Sequence, residues 1–297
     1  MAFKLASYAA SDGTPRAGIV VDGRVLDAGP SVLEVLQQWP TRSAQLADLA
    51  RTGGAGTPLS RVQLLAPILY PGTIFCAGAN YKDHVAEMSR ALNLPAEPDP
   101  HELGLKPWHF IKPSAQCVRG TGSRIPLPAY SKKVDWEAEI AVVMGKECRN
   151  VSVENALEYA AGLTIANDLS ARDHLKRDGI AADSPFKFDW VSQKSFDGAL
   201  PLGPWICPLE DVGDVGNLGI RLWVNDELMQ DSSSANLIFT MAEQISHLST
   251  RLTLLPGDVI ATGTPAGCGA ARGRFLKAGD RVRVWVENIG ELTTEFT

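Results

Sequence analysis

An acidic stretch between residues 135 and 139 carries three carboxylates at alternate positions, Asp135, Glu137 and Glu139. If the stretch is a β-strand, successive side chains point to opposite faces, so these three carboxylates share one face. Like charges this close repel one another unless a cation or hydrogen-bond donors compensate them. The stretch runs into apolar residues 140–144, which is typical of a buried strand. The sequence is compatible with two interpretations of this face, one in which it is exposed to solvent and one in which it binds a cation.

A further carboxylate, Asp168, follows a short apolar stretch at residues 163–166, where a strand is predicted to end and a helix to begin. An aspartate at such a junction is either part of a helix N-terminus or a metal ligand. Hard oxygens from Glu137, Glu139 and Asp168, without histidine or cysteine, would suit Mg²⁺, Mn²⁺ or Ca²⁺ rather than zinc. A metal held by three protein ligands can polarise carbonyl oxygens and stabilise an enolate.

Two other segments carry candidate catalytic side chains. Residues 79–88 are predicted to form a helix after a buried strand, with His84 and Glu87 three positions apart on one face. The carboxylate could orient the imidazole and make His84 a general base, although a surface pair has the same spacing. Lys194 lies between apolar neighbours and is either an inward-pointing cation near the carboxylates or a surface lysine with a buried stem.

The composition narrows the classes of protein to consider. A net charge of −6 leaves no basic footprint for a nucleic acid, and no apolar run has the length of a membrane span. The N-terminal residues lack the apolar core of a signal peptide. Five cysteines without C-x-x-C spacing argue against a disulfide framework or structural zinc and for a reducing compartment. We therefore expect a cytoplasmic globular protein without nucleic-acid or membrane partners.

The elements that must position these side chains are predicted to form two units. Residues 1–65 are expected to be a small N-terminal domain with a hairpin that turns at Asp22-Gly23, and a short helix capped by Ser31 and stopped by Pro40. Residues 70–297 form the larger unit. Its polar, proline-interrupted segment 89–107 is either a mobile lid or a disordered excursion, and the glycine-rich stretch 262–269 could receive an anion such as a carboxylate.

Over about residues 70 to 297 the sequence resembles the fumarylacetoacetate hydrolase family. The resemblance rests on six motifs in the family's order, which are Gly78–Met88 with Asn-Tyr and His-x-x-Glu, Phe110–Ser114, Glu137-x-Glu139 to Gly145, Asn167–Asp173, Lys194–Asp197 and Thr262–Gly269. It implies an α+β fold in which a mixed β-roll, the catalytic domain, follows a small N-terminal α/β domain. Members usually form dimers, so a homodimer is expected.

The resemblance also implies roles for individual residues. Glu137, Glu139 and Asp168 would be the ligands of Mg²⁺ (or Mn²⁺ or Ca²⁺), with Asp135 an extra carboxylate behind the ligands or facing solvent. The catalytic set would be His84, Glu87 and Lys194, in which the first two activate a water and Lys194 supplies positive charge. Substrate contacts would come from the following residues: Tyr81, Arg172, Gly263 and Thr264.

The activity expected from this site is metal-dependent hydrolysis of a carbon–carbon bond in a β-diketo acid, such as fumarylpyruvate or a related acylpyruvate. The same site could instead decarboxylate a 2-oxo acid such as oxaloacetate, interconvert keto and enol forms or isomerise a substrate, or act as a hydratase or lyase. A non-catalytic metabolite-binding protein is a further alternative, because a fold does not fix a function. Ala79 and His174 depart from the family pattern near the expected substrate pocket.

Overall fold

The computed structural model describes residues 2–96 and 98–297, and β-strands dominate it. The strands are β1 Lys4–Ala9, β2 Pro15–Val21, β3 Arg24–Gly29, β4 Thr57–Pro58, β5 Ile74–Ala77, β6 His109–Lys112, β7 Val118–Arg119, β8 Ser123–Ile125, β9 Val134–Asp135, β10 Ala138–Met144, β11 Ala160–Asn167, β12 Ser170–Ala171, β13 Leu200–Pro208, β14 Gly219–Val224, β15 Glu227–Ser233, β16 Val259–Ala261, β17 Arg281–Val286 and β18 Gly290–Phe296. The α-helices are α1 Val32–Gln37, α2 Trp39–Thr52, α3 Lys82–Ala91, α4 Ser114–Cys117, α5 Trp190–Lys194, α6 Leu209–Val212, α7 Met241–Arg251 and α8 Gly269–Arg272. Short 3₁₀ helices occupy Leu59–Arg61, Ala156–Tyr159, Arg172–His174 and Ser234–Asn236.

The strands form one large mixed sheet and two smaller sheets. In the large sheet the order is β4-β3-β2-β1-β13-β11-β10-β16-β5-β6, and β7 also pairs with β13. A five-stranded sheet has the order β15-β14-β17-β18-β8, while β12 and β9 form a two-stranded ribbon. Every residue of β10 and β11 is buried, as expected for the central strands of a sheet covered on both faces. The core therefore lies against the strands that carry the acidic residues.

The predicted hairpin near the N-terminus is confirmed, with β2 and β3 antiparallel and positive φ angles at both Asp22 and Gly23. Ser31 caps α1 by accepting a hydrogen bond from the Glu34 backbone, as predicted. Pro40, predicted to stop that helix, instead lies in the first turn of α2, where its missing N–H group costs no intrahelical hydrogen bond. Strand β1 pairs with β13, so the N-terminal strands extend the sheet of the larger unit. The division near residues 65–70 remains a prediction.

The acidic stretch is not the single continuous strand that the sequence predicts. Strand β9 ends at Asp135 and pairs with β12, whereas β10 begins only at Ala138 and pairs with β11 and β16. Between them, the fully buried Trp136 donates a hydrogen bond from Nε1 to the carbonyl of Gly267, at 3.1 Å. The break places Asp135 and Glu139 in different sheets.

Part of the segment that follows α3 contacts α7. Glu97, within the predicted segment 89–107, lies outside the described residues. Farther along, His101 contacts Glu243 of α7 at 2.9 Å and packs its ring on Phe239, with ring centroids 4.6 Å apart. In the described ranges, no helix combines the length and the apolar character needed to cross a bilayer.

Candidate active site

The antiparallel pairing of β10 with β11 brings three carboxylates together. Ala138 lies opposite Asn167, so Glu137 and Glu139 flank the position where the chain leaves β11 at Asp168. The Asp168 backbone N–H donates to the Glu137 carbonyl at 2.9 Å, and the Glu137 N–H donates to Asn167 Oδ1, also at 2.9 Å. Glu137, Glu139 and Asp168 are buried, and one oxygen of each lies within 4.8 Å of the other two.

Two buried lysines balance part of this negative charge. Lys194, the last residue of α5, places Nζ 2.8 Å from Glu137 Oε2 and 2.6 Å from Asp168 Oδ2. Lys112, the last residue of β6, forms an ion pair with Asp168 Oδ1 without the alignment of a hydrogen bond. Its Nζ donates to the carbonyls of Leu169 at 3.0 Å and Ala199 at 2.6 Å. Lys194 is thus the inward-pointing cation that the sequence allows, whereas Lys112 is a site residue that the sequence reasoning did not identify.

Arg172 connects Asp135, the remaining carboxylate of the acidic stretch, to the cluster. Its Nε lies 2.9 Å from Asp135 Oδ2 and its Nη2 lies 2.5 Å from Glu137 Oε1. Asp135 also accepts hydrogen bonds from the backbone N–H groups of Gly269 at 2.7 Å and Ala270 at 3.0 Å. Asp135 therefore lies behind the cluster and supports it, which is the first of the two positions expected for it; the solvent-facing alternative does not occur. The predicted helix that would begin at residue 170 is instead β12 and a 3₁₀ turn, and this turn aims Arg172 at the carboxylates.

The electrostatic environment shifts the pKa values of Glu137 and Glu139 in opposite directions. Burial opposes ionisation of Glu137, but the charges of Lys194 and Arg172 outweigh this effect and lower its pKa. Burial raises the pKa of Glu139 well above its usual value, and the neighbouring carboxylates of Asp168 and Glu137 raise it further. A divalent cation would remove the repulsion that protonates Glu139, and three carboxylates are the donors that a hard cation prefers. The residues present therefore fit Mg²⁺ or Mn²⁺.

His84 and Glu87 lie on α3 as predicted, but they do not form a hydrogen-bonded pair in the structure. Glu87 Oε2 accepts a hydrogen bond from the Gly267 backbone at 2.7 Å, and His84 Nδ1 lies 4.0 Å from the sulfur of Cys268. Burial lowers the pKa of His84, so the imidazole is neutral at neutral pH. A neutral imidazole is the form that can accept a proton.

The four residues expected to contact substrate differ in how much hydrogen-bonding capacity they keep. Besides Arg172, these are Tyr81, Gly263 and Thr264. Tyr81 is fully buried and its hydroxyl has no hydrogen-bond partner within the described chain. The Gly263 N–H donates to Glu139 Oε2 at 2.9 Å, so this group holds a carboxylate of the cluster itself. The Thr264 hydroxyl accepts from Gln230 Nε2 at 2.9 Å and keeps its own proton for another partner.

The conformation of Gly263 explains why glycine occupies that position. Its φ angle is +103°, a region that residues with a side chain rarely adopt, and an added Cβ would lie 2.8 Å from Asn80 Cβ. A side chain here would displace the loop that holds Glu139.

A cavity of about 710 Å³ lies next to His84. Its walls are mostly apolar and come from α3, from the segment that follows it and from residues 238–239, including the following side chains: Val85, Met88, Leu103, Trp108 and Phe239. A space of this size can hold a small organic molecule, and its apolar lining suits a nonpolar substituent.

Fold and site together define a mixed α+β protein with a buried carboxylate cluster able to hold a divalent cation. Residues 73–297 match the family model for the fumarylacetoacetate (FAA) hydrolase C-terminal domain. The chain belongs to this family, so the predicted family and fold class are confirmed.

Proteins similar to this chain are named for more than one reaction. The mitochondrial oxaloacetate tautomerase Fahd2a of Rattus norvegicus is 36% identical over 279 residues, which cover 92% of this chain and 82% of the relative. The fumarylacetoacetate hydrolase of Exiguobacterium antarcticum has a TM-score of 0.80 at 31% identity, covering 99% of each chain. The maleylpyruvate hydrolase of Sphingobium sp. SYK-6, solved with manganese(II) and pyruvate, has a TM-score of 0.76 at 26% identity, covering 99% of this chain and 98% of that one.

Proposed function

We propose that this protein is a divalent-metal-dependent enzyme that acts on 2-oxo acids by forming an enolate. The observation that carries the proposal is the buried cluster of Glu137, Glu139 and Asp168, whose oxygens lie within 4.8 Å of one another. Mg²⁺ or Mn²⁺ held there would polarise the 2-oxo group of a substrate and stabilise negative charge on its oxygen. Ca²⁺ suits the same oxygen donors but tolerates a less regular geometry.

The reaction that we propose first is keto–enol tautomerisation of a small 2-oxo dicarboxylic acid such as oxaloacetate. Neutral His84 would remove a proton from the carbon next to the 2-oxo group and return it to the enolate oxygen, so that no atom is gained or lost. Lys194 and the Thr264 hydroxyl would compensate the charge that develops in between. Similarity to oxaloacetate tautomerases supports this reaction. Glu87 supports it as well, because its hydrogen bond to Gly267 leaves His84 without the carboxylate partner expected for activating a water.

Hydrolytic cleavage of an acylpyruvate is the second candidate. In that reaction His84 would take a proton from an attacking water, and the carbon–carbon bond would break to leave a pyruvate enolate and a carboxylic acid. The apolar cavity next to His84 supports it, because oxaloacetate has no acyl group to fill such a space. Structural similarity to the maleylpyruvate hydrolase also supports it.

A panel of 2-oxo acids with Mg²⁺ or Mn²⁺ separates the two reactions. If the protein is a tautomerase, it would accelerate the absorbance change that accompanies conversion between enol and keto oxaloacetate, and no pyruvate would be released. Hydrolysis would release pyruvate together with one equivalent of a carboxylic acid from an acylpyruvate. Carbon dioxide release would support decarboxylation instead. If no acid reacted while calorimetry detected binding of a 2-oxo acid, the protein would be a metabolite-binding protein and the proposal would be wrong.

We also propose that the protein acts as a cytoplasmic homodimer. All five cysteines are free and buried, which suits a reducing compartment. Exposed apolar side chains such as Ile111, Phe186 and Val191 offer area for a second copy. Light scattering at several concentrations tests the dimer, and a mass of one chain at every concentration would contradict it.

A further inference from the structure

Three contacts join α3, which carries His84, to the glycine-rich loop at residues 262–269. Asp83 Oδ1 accepts a hydrogen bond from the Ala266 backbone at 3.3 Å, and Glu87 Oε2 accepts one from Gly267 at 2.7 Å. Between them, His84 Nδ1 lies 4.0 Å from Cys268 Sγ. The same loop holds Glu139 through the Gly263 N–H group. One loop therefore sets the position of the candidate base and of a candidate metal ligand.

The polar atoms around the sulfur of Cys268 determine which way its hydrogen points. Cys268 is fully buried, and its Sγ lies 3.8 Å from the Pro265 carbonyl and 3.8 Å from Gln230 Nε2. The two amide hydrogens of Gln230 are directed to Thr264 Oγ1 at 2.9 Å and to the Pro265 carbonyl at 2.8 Å. Burial raises the pKa of the Cys268 thiol, so it keeps its proton. With this proton directed to the Pro265 carbonyl, the sulfur has lone pairs free to accept a weak hydrogen bond from His84.

We propose that Cys268 is a positioning residue that fixes the tautomer of His84, with the hydrogen on Nδ1 facing the sulfur and the lone pair on Nε2. The hydrogen bond that one ring nitrogen makes decides which nitrogen carries the proton, and no carboxylate of residues 2–96 and 98–297 accepts a hydrogen bond from the His84 ring. Nε2 is then the atom that accepts the substrate proton. The inference rests on the proposed function, in which His84 transfers that proton.

Nitrogen-15 NMR of histidine-labelled protein tests the tautomer directly and without substrate. The chain has five histidines, and the signals of His84 are assigned by comparison with a His84→Gln variant. We expect the Nδ1–H form in the unmodified protein and in Cys268→Ser, whose hydroxyl still accepts a hydrogen bond. In Cys268→Ala we expect a mixture or the Nε2–H form. If the alanine variant does not fold, Cys268→Val fills the space without an acceptor and carries the same expectation.

Kinetics give a second measurement. Loss of the correct tautomer should lower kcat by up to about tenfold in Cys268→Ala while KM changes little, and Cys268→Ser should recover most of the rate. An Nε2–H form in the unmodified protein, or an unchanged Nδ1–H form in Cys268→Ala, would overturn the inference. If the tautomer responds as expected but no 2-oxo acid is turned over, the proposed function fails and the role of Cys268 in fixing the tautomer stands.

Discussion

The ammonium group of Lys194 lies 2.6 Å from Asp168 Oδ2, and both side chains are buried. This ion pair belongs to a larger group of charges, in which four buried carboxyl groups face two buried lysines and one partly buried arginine: Asp135, Glu137, Glu139 and Asp168 against Lys112, Lys194 and Arg172. The excess of one carboxyl group agrees with the raised pKa of Glu139. A divalent cation would allow all four carboxylates to be ionised together.

Replacing Lys194 with methionine should destabilise the protein and make its stability depend strongly on metal. Removing one partner of a buried ion pair leaves an uncompensated charge, which costs about 3–5 kcal/mol. Added Mn²⁺ should recover part of this loss, because it compensates the same carboxylates. Thermal unfolding with and without Mn²⁺ measures both effects. Lys277→Met, on an exposed side chain, is the control and should change neither. Equal stability of Lys194→Met and the unmodified protein would contradict this view of the charge cluster.

The substitution Arg172→Lys tests whether Arg172 orients the metal ligands or only binds substrate. The planar guanidinium of Arg172 contacts Asp135 and Glu137 together, and the single ammonium group of a lysine cannot reproduce both contacts. Glu137 should therefore lose its fixed orientation. We expect Mn²⁺ affinity, measured by calorimetry, to fall by about 10- to 100-fold, as is typical when a residue that orients metal ligands is changed. If Arg172 instead only bound substrate, KM would rise while metal affinity stayed the same.

The contact between His101 and Glu243 should make local stability depend on pH. Hydrogen bonds to Glu243 and Asp99 raise the pKa of His101. The folded state therefore binds the His101 proton more tightly than the unfolded chain does. The contact makes its full contribution to stability below about pH 6.5, and this contribution is lost as the pH rises through the raised pKa of His101. The effect should stay below about 1 kcal/mol because the pair is largely exposed and screened by solvent.

Amide hydrogen exchange across residues 98–105 measures this contact. His101→Gln should speed exchange relative to the unmodified protein at about pH 5.5 and much less at about pH 8.5. His174→Gln, on the 3₁₀ turn Arg172–His174, is the control and should leave these amides unchanged. A His101→Gln effect of equal size at both pH values would show that the charge of His101 does not hold this segment.

Local patterns in the sequence predicted the parts of the site that depend on neighbours in the chain. The alternation of Glu137 and Glu139 and the apolar run after them identified the central strand, and β10 is buried throughout. The turn at Asp22-Gly23 was predicted because glycine and aspartate tolerate positive φ angles. The chemistry of their oxygens suggested grouping Asp168 with Glu137, and the family resemblance supported it, but the pairing of their strands over about 30 residues has no local signal.

Other parts depend on long-range contacts that no local pattern reports. Lys112 is 1% exposed while its neighbour Ile111 is 60% exposed, the reverse of what their polarity suggests. The family motif Phe110–Ser114, which contains Lys112, is the signal that could have identified it. Glu87 was paired with His84 from their helical spacing, but the Gly267 N–H group comes within 2.7 Å and binds its carboxylate instead. A loop 180 positions away decides this contact.

The most direct test of the proposed metal-dependent enolisation is the rate at which enol oxaloacetate converts to its keto form. Metal-depleted protein should not accelerate the conversion, and Mg²⁺ or Mn²⁺ should restore catalysis. Glu139→Gln should fold normally, because its amide resembles the protonated carboxyl group, and should stay inactive at every metal concentration. Glu147→Gln, on an exposed carboxylate just beyond β10, should behave as the unmodified protein. Full catalysis by metal-depleted protein or by Glu139→Gln would contradict the account.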